Sequence, residues 1–197
     1  MQDTALLALH YQNEVLHPGG RIRVGVAEDD PRRAGVISSA RTLLATARAA
    51  AVPVISVRIA FRADHADVIQ NCRIFRNVVA LRAMVDGSWG ADFADGLGPL
   101  PGEFVVKHTR TNAFLGSPLE EVLRCLGARK LVAAGISTNS VVEATVRHAS
   151  DCGYEVTVIR DACSAGECDL HEASLRNMAY VADIATVAKW AATIGQR

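Results

Sequence analysis

Short hydrophobic runs that alternate with amphipathic stretches are the feature that most constrains the fold of this chain. The run at 4–10 (TALLALH) is continuous rather than alternating, which is typical of a parallel strand buried on both faces. The stretch at 31–50 repeats hydrophobic residues three and four apart, and predicts an amphipathic helix with Asp30 as its N-cap and Pro31 in its first turn. Repetition of this unit predicts a sheet covered by helices on both faces.

The same pattern continues to the end of the chain. We predict further strands at 52–60, 103–108, 130–136 and 154–162, and a short last strand followed by a helix within 183–194. Helices are predicted at 117–127, 139–153 and 169–182; the first has Ser117 as N-cap, Glu120 in a capping box and Gly127 at its end. The least regular part, 62–102, is expected to be a long excursion with one or two helical turns. We therefore predict one domain over 1–197, a three-layer α/β/α sandwich with a mostly parallel six-stranded sheet.

Composition excludes several classes of function. Half of the residues are hydrophobic, and 21 Lys plus Arg balance 21 Asp plus Glu, so nothing favours binding to nucleic acid or to an anionic membrane. The N-terminus has Asp3 and a short hydrophobic run instead of a signal peptide, so we expect a cytoplasmic protein. The five cysteines form no CxxC pair, and we expect reduced thiols, no metal and no cofactor.

Ligands of parallel α/β sheets bind beyond the carboxyl ends of the strands, and this rule selects the candidate site residues. These are the residues that follow each predicted strand: His10, 58–62, 107–110, 135–141 and 161–164.

Three segments at these strand ends resemble the isochorismatase-like hydrolases, also called cysteine hydrolases. They are LLALHYQNE at the first strand, the stretch from GSWGAD through EFVVKHTRTNAFLGSPLEEVLRCLG, and LVAAGISTNSVVEATVRHASDCGYEVTVIRDACSA. In order and at these spacings they cover nearly the whole chain. The resemblance implies the fold that the pattern predicts, a homo-oligomer (dimer or tetramer), and an unusual cis peptide between Ile136 and Ser137.

The resemblance also implies a catalytic triad that this chain does not retain. Most members use an Asp after strand one, a Lys after strand three and a Cys at the start of a helix, which together generate a thiolate nucleophile. Here the Asp position holds His10, the Cys position holds Val141, and Lys107 remains. Because a valine has no atom that can attack a carbonyl carbon, hydrolysis through a thioester is excluded for this frame.

Two classes of function stay open. The first is a hydrolase without a cysteine nucleophile that acts on a small, anionic metabolite, with His10 and Lys107 managing a water or a proton. The second is a catalytically inactive family member that binds a ligand or a partner. A rewired nucleophile, Cys163 or Ser140, is the remaining alternative.

Further residues are assigned to the site through the resemblance. Ile136, Ser137 and Ser140 form the turn whose N–H groups receive an oxyanion. Substrate contacts are expected from Trp89, Arg110, Phe114 and Cys163, with Arg58 and Arg62 as further candidates for pairing with a carboxylate. Asp64 and His65 lack the spacing of a metal site. His108 alternates to the opposite face from Lys107 if the strand continues, and is left out of the site.

Overall fold

The computed structural model describes residues 3–25 and 30–194. Six strands form one sheet in the order β3-β2-β1-β4-β5-β6, and every neighbouring pair is parallel. The strands are β1 (Thr4–Leu9), β2 (Val54–Ile59), β3 (Phe104–His108), β4 (Lys130–Gly135), β5 (Glu155–Ile159) and β6 (Asp183–Ala185). The predicted six-stranded parallel sheet is confirmed.

Helices flank this sheet, and all but α1 fall in segments where helices were predicted. They are α1 (Asn13–Leu16), α2 (Arg32–Ala49), α3 (Arg73–Ala80), α4 (Leu119–Cys125), α5 (Glu143–Asp151), α6 (Cys168–Met178) and α7 (Val187–Ile194). The single turn α1 was not predicted, because four residues carry too little periodicity to be recognised. The excursion contains α3 and a 3-10 turn at Trp89–Ala91, as expected.

Local hydrogen bonds explain where two of the helices begin. The Arg32 N–H donates to Asp30 Oδ1 at 2.8 Å, so Asp30 supports the start of α2, but the N-cap is Pro31 and not Asp30 as predicted, because the helix begins one residue later. At α4 the Leu119 N–H donates to Ser117 Oγ at 3.2 Å. The capping box predicted for Glu120 is wrong, because its carboxylate pairs with Arg124 one turn along the helix.

Strand β1 lies at the centre of the sheet, and all six of its residues are buried. In its register with β4, Leu9 lies opposite Gly135. A Cβ atom at Gly135 would lie 2.1 Å from the Leu9 carbonyl oxygen, so only glycine allows this approach. Both strands therefore deliver the segments that follow them, from His10 and from Ile136, to the same edge of the sheet.

Strand β3 is an edge strand, and its residues alternate between the interior and the surface near its end. Val106 and His108 are fully buried, whereas Lys107 is exposed. Lys107 is aligned with Arg58, and His108 with Ile59, so each pair shares one face of the sheet. Across the described ranges, no helix has the length and hydrophobicity required to cross a membrane.

Candidate functional site

A small cavity lies beyond the carboxyl ends of β1, β2 and β4, where the topology predicts a ligand site. About 50 Å³ is open in it, several times the roughly 10–15 Å³ that a single ordered water requires on the same scale. Its polar lining residues are His10, Thr111, Ser137 and Ser140. The other described residues of its wall are hydrophobic, among them Ile59, Phe75, Val78, Met84 and Val141.

The backbone of His10 turns sharply as it leaves β1. Its φ of 54° lies in the left-handed region, which is uncommon outside glycine, and its N–H donates to the Val57 carbonyl at 2.9 Å. Two residues further on, the buried Gln12 amide donates to the carbonyls of Ile59 and Ala91 and accepts from the Ile59 N–H. These bonds hold the end of β1 against the end of β2, and His10 lines the cavity at this point.

His10 is hydrogen-bonded to a second buried histidine, His108, through the Nε2 atoms of both rings. The Nδ1 atom of His108 lies 3.2 Å from the Asn112 carbonyl oxygen. Because a carbonyl oxygen only accepts, Nδ1 of His108 carries the proton, and its Nε2 accepts when the ring is neutral. His10 then donates from Nε2, and its Nδ1 carries a lone pair that no described group occupies.

Both imidazoles are held in the neutral state. Burial, together with the positive charge that His108 would carry, moves the pKa of His10 well below its usual value. Burial lowers the pKa of His108 to about 4, even though its hydrogen bond to the Asn112 carbonyl acts in the opposite direction. At neutral pH the pair is therefore uncharged, and His10 presents an acceptor rather than a cation.

The turn after β4 forms another wall of the cavity. The Ile136–Ser137 peptide is cis, as the resemblance implied, and a wide helical turn at Thr138–Val142 leads into α5. Ser137 is 2% exposed, and its hydroxyl has no hydrogen-bond partner among the described residues. Val141 is buried and lines the same cavity. The structure thus brings together His10, Ile136, Ser137, Ser140 and Val141. The oxyanion role expected for the N–H groups of Ile136 and Ser140 is wrong, because they donate to the carbonyls of Leu9 and Ser137.

Lys107 does not lie at this cavity, so the prediction that it lies beside His10 is wrong. Its Nζ donates to Asp86 Oδ2 at 2.9 Å on the exposed face of the sheet, where Arg58 also pairs with Asp86. Lys107 is one residue before His108 on an extended strand, and successive side chains of a strand point to opposite faces. That alternation was recognised in the sequence, but the wrong one of the two residues was assigned to the site.

The aromatic residues and arginines that were predicted to contact the substrate also lie outside the cavity. Trp89 is half exposed in a separate groove beside His17, and Phe114 stacks on His148 with ring centroids 4.6 Å apart. Arg62 is exposed and pairs with Asp64. Arg110 contacts a residue of the cavity wall: its guanidinium lies 4.2 Å from the ring centroid of Phe75, which lines the cavity. Arg110 therefore packs behind the wall and does not line the cavity itself.

Cys163 lies outside the cavity as well. Its Sγ accepts a long hydrogen bond from the Gly135 N–H at 3.4 Å, and it borders a groove on the α6 side together with His171. Burial raises the pKa of the Cys163 thiol to about 12, which is opposite to the shift that a nucleophilic cysteine requires. The geometry therefore opposes Cys163 both as a substrate contact and as a rewired nucleophile.

The other potential metal ligands do not cluster. His65 Nε2 lies 2.8 Å from the Ala83 carbonyl, and Asp64 pairs with Arg62. Residues 3–25 and 30–194 contain no group of three or more His, Cys, Asp or Glu side chains that could hold a metal ion.

The fold and the cavity define a doubly wound α/β protein with its site beyond the ends of parallel strands. A family model described as an isochorismatase domain matches residues 4–189, and the chain belongs to the isochorismatase family. An isochorismatase family protein from Desulfovibrio vulgaris is 28% identical with a TM-score of 0.85, over 98% of each chain.

Two more distant structures share the fold. A cysteine hydrolase from Pseudomonas syringae is 23% identical with a TM-score of 0.88, covering 98% of this chain and 93% of its own. An N-carbamoylsarcosine amidase from Thermoplasma acidophilum is 22% identical with a TM-score of 0.74, covering 94% and 96%. At these identities the likeness extends to the fold alone.

Proposed function

We propose that this chain is a hydrolase of the isochorismatase family that activates water with His10 and uses no cysteine nucleophile. The observation that carries the proposal is the directional hydrogen-bond chain from His10 through His108 to the Asn112 carbonyl. This chain leaves Nδ1 of His10 as an unprotonated acceptor, and His10 lines a cavity whose open volume is several times what one ordered water requires.

In the proposed reaction a water oxygen forms a bond to the electrophilic carbon of the substrate while Nδ1 of His10 removes a proton from that water. The leaving group departs as its bond to this carbon breaks, and it takes the proton back from His10. During the step His10 is an imidazolium whose Nε2–H still donates to neutral His108, and a hydrogen bond from a charged donor is stronger than one between neutral groups. His108 is therefore a positioning residue that fixes the tautomer of His10 and supports its transient charge.

The low pKa of His10 makes it a weak base, and this sets the expected pH profile. Activity persists as pH falls through about 6.5, the usual histidine value, and is lost only as the pH approaches the lowered pKa of His10. A profile with its midpoint at the usual histidine value would contradict the assignment.

The experiment is a turnover screen with small esters, amides and enol ethers, repeated with two variants. His10→Gln removes the base and is expected to lower kcat by about 10²–10⁴-fold, the usual contribution of general base catalysis. Lys107→Ala is the matched control, because Lys107 pairs with Asp86 away from the cavity. Turnover that survives in His10→Gln but disappears in Lys107→Ala would overturn the proposal.

The second candidate is a family member that binds a ligand without turning it over. The observation in its favour is the hydrophobic side chain of Val141 in the cavity wall. It predicts binding in the same screen with no turnover of any bound compound. The homo-oligomer expected from the resemblance stays a prediction, which light scattering of the purified chain tests.

A further inference from the structure

We infer that the cavity beside His10 selects a small uncharged ligand whose polar group accepts a hydrogen bond from Ser137 and donates one to His10. The inference rests on the proposed function in taking this cavity as the reaction site. It replaces the anionic metabolite that was expected from the sequence.

The described part of the cavity wall carries no charged side chain. The described lining residues include no Lys, Arg, Asp or Glu. The three arginines considered for carboxylate binding are engaged elsewhere: Arg58 with Asp86, Arg62 with Asp64, and Arg110 with Asn71 and the Phe75 ring. Lys107 also pairs with Asp86. A carboxylate moved from water into this wall would lose its hydration without gaining an ion pair, a cost of several kcal/mol.

The hydroxyl of Ser137 is buried and has no hydrogen-bond partner among the described residues. A buried polar group without a partner is unfavourable, and native proteins retain few of them. Ser137 Oγ is such a group, and its residue lines the cavity. An acceptor oxygen of a ligand placed beside Ser137 would give this hydroxyl the partner that the protein does not supply, and on this ground Ser137 is assigned as the donor.

His10, the other polar residue of the proposed contact, can only accept a hydrogen bond from the ligand. The hydrogen bond between His108 and the Asn112 carbonyl leaves His10 Nδ1 as an acceptor. A ligand group that both accepts and donates, such as a carboxamide or an alcohol, satisfies Ser137 and His10 together. A carboxylate can accept from Ser137, but it leaves His10 without a donor.

The experiment measures binding, so that it is independent of turnover. Histidine side-chain signals of the isotope-labelled full chain are followed by NMR during titration with acetamide, acetate and acetone, at a pH where acetate is ionised. These probes match in size and differ in charge and donor content. Acetamide is expected to shift the His10 signals, with acetate and acetone at least about tenfold weaker. Acetate binding as tightly as acetamide, or no shift of His10 with acetamide, would overturn the inference.

Two serine variants test the donor. Ser137→Ala is expected to weaken acetamide binding by about 3- to 10-fold, the usual loss for one neutral hydrogen bond. The same variant should unfold at an equal or higher temperature, because it removes an unpartnered buried hydroxyl. Ser150→Ala on α5 is the control and leaves binding unchanged. Unchanged acetamide binding in Ser137→Ala would overturn the role of Ser137.

Failure of the inference and failure of the proposed function give different results. Selective acetamide binding without turnover of any substrate refutes the hydrolase and leaves the ligand class intact. Turnover that depends on His10, combined with a preference for acetate, refutes the ligand class and leaves the hydrolase intact.

Discussion

Acidification should destabilise this protein through its buried histidine pair well before its carboxylates titrate. The pKa of His108 is lowered to about 4 and that of His10 is also lowered, whereas in the unfolded chain both return to about 6.5. Below about pH 6.5 the unfolded state therefore binds more protons than the folded state, and the free energy of unfolding falls with pH until the folded pKa values are reached.

The magnitude follows from the pKa of His108. Between about pH 7.5 and pH 5 the unfolded chain gains a proton that folded His108 does not bind, and this costs about 2 kcal/mol, since one pKa unit is worth about 1.4 kcal/mol. His10 adds to this loss in the same direction. The wild-type protein should therefore lose at least about 2 kcal/mol over this range because of the pair.

Urea denaturation at both pH values measures this loss directly. The test variant is His10→Asn/His108→Asn, because asparagine does not titrate and tolerates the left-handed backbone at position 10. The control is His17→Asn, which removes an exposed histidine. We expect the double variant to have the shallower pH dependence and the control to match wild type. Equal slopes in wild type and double variant would refute the buried neutral pair.

Three further predictions test individual positions. Gly135→Ala should destabilise the fold by more than about 3 kcal/mol or prevent folding, because the new Cβ would lie 2.1 Å from the Leu9 carbonyl oxygen. A soluble variant with wild-type thermal stability would contradict this. Lys107→Ala should change the free energy of unfolding by about 1 kcal/mol or less, as is usual for exposed ion pairs, and a larger loss in urea denaturation would show that Lys107 has a buried role. Cys163 should not react with a thiol reagent in the native state, whereas the exposed Cys125 should. Mass spectrometry of the labelled peptides measures both reactions, and rapid labelling of Cys163 would refute its burial and raised pKa.

The sheet and the turn after β4 were predictable because they depend on local patterns. Continuous hydrophobic runs indicate strands buried on both faces, and the placement of Gly135 before the turn indicates the end of β4. The same turn brought Ile136, Ser137, Ser140 and Val141 to the cavity, as their position at a strand end suggested.

Sequence patterns did not identify His108 as the hydrogen-bond partner of His10. Lys107 and His108 are adjacent on β3, which lies at the edge of the sheet. Which of the two side chains points toward the cavity depends on how this strand is oriented in the sheet. Alternation showed only that the two point in opposite directions. Burial of His108 could have been inferred from its place after Val106, two residues earlier on the same face.

The excursion at 62–102 was harder still, because its contacts are long-range. Trp89 lies in a groove next to His17, and Asp86 holds both Arg58 and Lys107. No periodic pattern encodes such pairings. An anionic substrate was expected because arginines such as Arg58 and Arg62 were available to pair with it. In the structure both form ion pairs with Asp86 and Asp64 outside the cavity.

The protonation state of the His10 ring tests the central claim most directly. Long-range proton–nitrogen NMR correlations of the native protein distinguish the two neutral tautomers from the imidazolium. At neutral pH we predict that His10 carries its proton on Nε2 and leaves Nδ1 unprotonated, with His108 protonated on Nδ1. A His10 ring protonated on Nδ1, or charged at neutral pH, would contradict the proposed base.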